Sequence, residues 1–139
     1  MTLQYGSMVE LEVGRDENIK NAIGEFILAQ GWERAVICGA VGSVRDVTLT
    51  TPIGFELPPK VMKTPCDGPG EVLAFTGEIM KTELMDPMLR KIYSSDEPLF
   101  IHIHMSLAIA GSHVYGGGLD SGRAFRGLRV FFAEARMCD

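Results

Sequence analysis

His102 and His104 lie in the run Leu99-Phe100-Ile101-His102-Ile103-His104-Met105-Ser106-Leu107, where polar and apolar residues alternate. Successive side chains of a strand take opposite faces. Ile101, Ile103, Met105 and Leu107 then share a core face, and Phe100, His102, His104 and Ser106 share the other. Residues two apart on a strand are roughly 6.5 Å apart. Two imidazoles so spaced can approach one zinc or other divalent ion at about 2.0–2.1 Å. A catalytic ion of this kind keeps one position for water or substrate, and its bound water has a pKa near 7. The third ligand would come from His113 of another subunit, from Glu71 or Glu78, or from a thiol.

No Ser-His-Asp set emerges from the sequence, and no catalytic residue is assigned. Ser106 shares the histidine face as a hydrogen-bonding residue. Glu71 and Glu78 are seven apart, so on an unbroken strand they face opposite sides and form no acid–base pair. Gly39-x-x-Gly42 precedes a strand instead of opening a helix, which excludes a dinucleotide fingerprint. Cys38, Cys66 and Cys138 are an odd number without CxxC spacing, as suits free thiols in a reducing cytoplasm.

The 139 residues make one domain, with 46% hydrophobic and 22% charged residues. Met1 to Arg15 has no signal-peptide pattern, and no stretch has the length of a membrane span. A net charge of −5 argues against direct DNA contact, which depends on Lys and Arg neutralising phosphates. The densest basic group is Arg123, Arg126 and Arg129. On a regular strand Arg126 would point away from the other two.

The elements that must carry these residues follow from periodicity. Met8 to Val13 alternates as a first strand. Ile19, Ala22, Ile23, Phe26 and Ile27 follow helical spacing, with Asp16 and Glu17 at the positive end and Gly31 as the stop. Ala35 to Cys38 and Asp46 to Thr51 are two strands joined by a glycine turn. Prolines and glycines exclude regular structure from Pro52 to Gly70, a loop that suits a surface or intersubunit flap, or one whose Lys60 and Cys66 reach a site. Glu71 to Ile79 is a strand, and Asp86 to Tyr93 is a short helix with an aspartate cap and proline at its first position. The histidine strand turns near Ala110-Gly111 into a strand around His113 to Tyr115. That hairpin sets His113 opposite Ala108, about 13 Å from His104. Gly116 to Gly118 then interrupt the pattern before a last strand, Arg123 to Ala135. The class is α+β, a largely antiparallel sheet with one main amphipathic helix.

Phe75-Thr76-Gly77-Glu78-Ile79, His102-Ile103-His104-Met105-Ser106-Leu107-Ala108, Val114-Tyr115-Gly116-Gly117-Gly118-Leu119 and Gly122 together resemble the PPC domain family. Ala40 to Asp46 and Gly68 to Gly77 are similar to further segments of that family, so the likeness spans nearly the whole chain. The resemblance implies a homotrimer whose subunit has an acetolactate-decarboxylase-like fold, with a metal or small-ligand site at His102 and His104. It also implies that Ser106, Gly117 and Gly118 line that site. Many prokaryotic members have a third histidine in a Gly-Gly-His-Leu segment, and Gly118 occupies its place here. The alternative is a non-catalytic oligomerisation or interaction module associated with DNA binding or transcriptional regulation. Family members are commonly labelled predicted DNA-binding proteins, but this chain has no AT-hook.

Overall fold

The computed structural model describes residues 1–93 and 96–138. The elements are β1 (Leu3–Val13), α1 (Ile19–Gln30), β2 (Arg34–Pro52), β3 (Val61–Cys66), β4 (Gly70–Lys81), α2 (Pro87–Ile92), β5 (Leu99–Ile109) and β6 (His113–Met137). All strand pairings are antiparallel. The sheet order is β1-β6-β5-β4-β2-β3, and a further pairing of β6 with β2 closes β2, β4, β5 and β6 into a ring. The expected α+β class and the dominance of antiparallel sheet are therefore found.

The periodic helix forms where its apolar stripe predicts. Ile19, Ile23 and Ile27 are fully buried, and the Phe26 ring stacks on Phe132 at 5.2 Å. Gly31 ends the helix with φ 72°, a conformation that glycine adopts without strain. The cap itself is Asn18, whose side chain accepts from the Asn21 N–H at 3.0 Å. Asp16 and Glu17 thus lie outside the first turn, and Glu17 instead accepts from the Gly14 N–H at 2.9 Å.

Four boundaries differ from the sequence reading. The two strands around Gly39 to Val44 are one strand, β2, because register shifts at Ile37/Gly39 and Ser43/Val44 bend the chain without reversing it. The proline-rich stretch contains β3, which pairs along Val47 to Pro52 of β2. Its Pro65 is tolerable on an edge strand, where a missing N–H donor breaks no inner ladder. The third difference is at Gly116 to Gly118, which lie inside β6 and pair with β5. β1 also begins earlier than alternation suggested, at Leu3.

Candidate functional site

β5 directs Ile103, Met105 and Leu107 into the core, each at most 3% exposed, while its outer face carries His102, His104 and Ser106. The two imidazole centroids are 4.6 Å apart, nearly perpendicular at 86°. His102 is half-buried and continues a row of rings with Phe100 at 5.5 Å and Tyr93 at 5.9 Å. His104 is exposed.

The neighbouring strand supplies the carboxylate. Glu78 of β4 is the register partner of His102, and Thr76 is that of His104. Glu78 Oε1 lies 3.9 Å from His102 Nδ1, an ion pair only when the ring is protonated. Burial is the largest influence on that ring, and with the nearby His104 and Lys20 it outweighs Glu78 and lowers the His102 pKa. At neutral pH the imidazole is therefore uncharged, which is the form that ligates metals. Close approach of β4 to β5 here depends on Gly77, where a Cβ would run into the His102 carbonyl oxygen.

Two shallow depressions meet at Thr76 and His104. One, of about 500 Å³, is lined by Cys38, Thr76, Glu78, His102 and His104 among others. The second, of about 440 Å³, lies over Thr50, Thr76, His104, Ser106, Gly117 and Gly118. Gly118 is the register partner of both His104 and Thr50, and its carbonyl accepts from the Thr50 hydroxyl at 3.5 Å.

Other candidates fall elsewhere. His113 pairs with Ile109 instead of Ala108, which moves it farther along β5, about 16 Å from His104. A register shift between Val72 and Ala74 overturns the parity argument for the glutamates. Glu71 pairs with Ala108 and Glu78 with His102, so both face outward on the same side. They remain six β5 positions apart, roughly 20 Å, too far to act together. Cys66 is buried in the core, where burial raises its thiol pKa. Arg126 and Arg129 line one groove, contrary to strand parity, because the register is irregular at Gly127.

Cys38 was visible in the sequence only as an unpaired thiol. The fold brings it to the rim of the histidine depression. Nothing local signals this, since the β2–β4 ladder sets its position. Two imidazoles, a carboxylate and a thiol thus share one depression. Among the described residues, however, no three His, Cys, Asp or Glu side chains form a group that could hold a metal ion as placed. Among those residues no helix is long and apolar enough to cross a membrane.

Comparison with known proteins agrees with this architecture. The family model of the Plants and Prokaryotes Conserved (PCC) domain matches residues 2–136. A metal-containing protein from Archaeoglobus fulgidus is similar at 27% identity and a TM-score of 0.75, over 96% of this chain and 83% of that one. A plant- and prokaryote-conserved protein from Pyrococcus horikoshii shares the fold at 22% identity and a TM-score of 0.73, over 98% and 83% of the two chains. So does a predicted DNA-binding protein from Bacteroides thetaiotaomicron, at 17% identity and a TM-score of 0.66 over 95% and 82%. No curated protein matches the chain.

Proposed function

Because this chain belongs to the Plants and Prokaryotes Conserved domain family, we propose that it is a cytoplasmic homotrimer that binds a divalent metal ion, zinc foremost, on the outer face of β5. His102 and His104 would hold the ion, and Glu78 would become the third donor once its side chain turns toward them, since as placed the three do not form a metal-holding group. The observation that carries this reading is the pair of imidazoles 4.6 Å apart with Glu78 in the same depression. Two histidines and a glutamate are an established zinc donor set. Burial keeps His102 neutral, ready to ligate without first losing a proton. The Archaeoglobus fulgidus relative is a metal-containing protein. A zinc ion bound here would supply a water of lowered pKa and a Lewis acid.

The oligomer is supported by the loop joining β2 to β3, the tip of the arm these two strands form, where Ile53, Phe55 and Leu57 are 59%, 104% and 72% exposed. Three large apolar side chains within five residues of one loop suit a subunit contact. The free thiols suit a reducing compartment. Metal analysis of untagged protein tests the site. We expect close to one equivalent of a transition metal per chain, lost in His102→Ala and His104→Ala. Less than about 0.2 equivalents, with no thermal stabilisation by added zinc, would overturn the reading.

A second reading, an interaction module beside DNA, is favoured by the Bacteroides thetaiotaomicron neighbour. Direct contact is opposed by the net charge of −5 and by the engagement of Arg123 with the Asp16 carbonyl at 3.1 Å and of Arg129 with Glu10 at 3.5 Å. Duplex binding at two salt concentrations separates these cases, because phosphate contacts weaken steeply with salt.

A further inference from the structure

The depressions on either side of His104 differ in charge. Glu78 lines the one beside His102. The other is lined by no Asp, Glu, Lys or Arg. Its polar side chains are Thr50, Thr51, Thr76, His104 and Ser106. Thr50 donates to the Gly118 carbonyl, whereas the hydroxyls of Thr76 and Ser106 have no hydrogen-bond partner among the described residues. Thr76 lies directly across from His104, and Ser106 is two positions farther along β5 on the same face. Two hydroxyls and an imidazole therefore surround one hollow, with neighbouring positions about 5–7 Å apart. Gly117 and Gly118 complete its lining without side chains.

We propose that this hollow binds a small monocarboxylate, whose two oxygens accept hydrogen bonds from Thr76, Ser106 and the His104 N–H. The inference rests on the ligand-site reading of this face and does not require the metal. A carboxylate suits the hollow because its single charge is spread over two acceptor oxygens, which neutral donors can satisfy. A phosphate dianion, with more charge to offset, is favoured by a guanidinium or ammonium among its donors, and the lining of this hollow has none. Lys63 is the register partner of Thr50, and its amine faces Asp120 at 3.5 Å.

Proton–carbon NMR of the histidine rings in the full chain tests this, with acetate and inorganic phosphate as probes in chelator-treated and cobalt-loaded protein at constant neutral pH. Acetate should shift the His104 resonances saturably with a Kd of order millimolar and leave His113 unmoved, and phosphate should do neither. Combining Thr76→Val with Ser106→Ala, both on the outer face, should weaken acetate binding about tenfold. The proposal is overturned if acetate at about 100 mM leaves His104 unmoved, if phosphate binds as well as acetate, or if the double variant binds acetate as wild type does. Cobalt uptake without acetate binding would defeat this proposal alone. Acetate binding without cobalt uptake would defeat the metal reading alone.

Discussion

His104 of β5 and Gly118 of β6 are register partners, so a side chain at position 118 would rise beside the His104 imidazole on the outer face. The backbone permits one. A Cβ at 118 would lie 3.1 Å from the Thr50 hydroxyl oxygen, a contact that a small rotation relieves. Gly118→His should therefore add a third imidazole and raise zinc affinity at least about tenfold, as measured by competition with a chromophoric chelator. The gain should vanish when His104→Ala is combined with it. Equal affinities for wild type and Gly118→His would show that position 118 does not face the pair.

The lowered pKa of His102 has a definite sign in stability. The folded chain resists protonating this ring, while the unfolded chain takes up the proton near pH 6.5. Stability from this group is full above that pH. It is lost as pH falls from there toward the lower folded-state pKa. Melting from neutral pH to about pH 5 should thus depress the Tm of wild type more than that of His102→Gln. Equal depressions would remove His102 from the acid sensitivity. Glu78→Gln should lower the His102 pKa further, because Glu78 favours the charged ring.

Gly77→Ala should cost about 2 kcal/mol, the usual scale for inserting a methyl where strands already touch. The added carbon meets the His102 carbonyl and cannot be absorbed by rotating a side chain. Urea unfolding should show an earlier midpoint with an unchanged slope. A midpoint matching wild type would mean that β4 and β5 can separate freely at this level.

Phe55→Ser probes the arm. The ring is fully exposed within the chain, so intrachain stability should change by less than about 0.5 kcal/mol. Association should weaken by about 2 kcal/mol per contact, the scale of burying a phenylalanine. Light scattering should find wild type at three times the chain mass and the variant shifted toward monomer. If both have the same mass, the arm is not the subunit contact.

Backbone periodicity was enough to show which residues face together along an unbroken stretch of strand or helix. Alternation in Leu99 to Leu107 put both imidazoles on one face, and the helical spacing of Ile19, Ile23 and Ile27 gave the buried stripe of α1. These follow from backbone geometry over a few residues, and no distant partner is needed to enforce them. Tertiary structure alone decided what lies beside the imidazoles. Glu78, Thr76, Cys38 and Gly118 reach His102 and His104 through ladders joining segments far apart in sequence. One irregularity between Val72 and Ala74 reversed the facing of Glu71, and others merged apparent turns into β2. A single extra residue exchanges the two faces of a strand, so cross-strand neighbours are fixed only once pairing and bulges are set by the closed sheet.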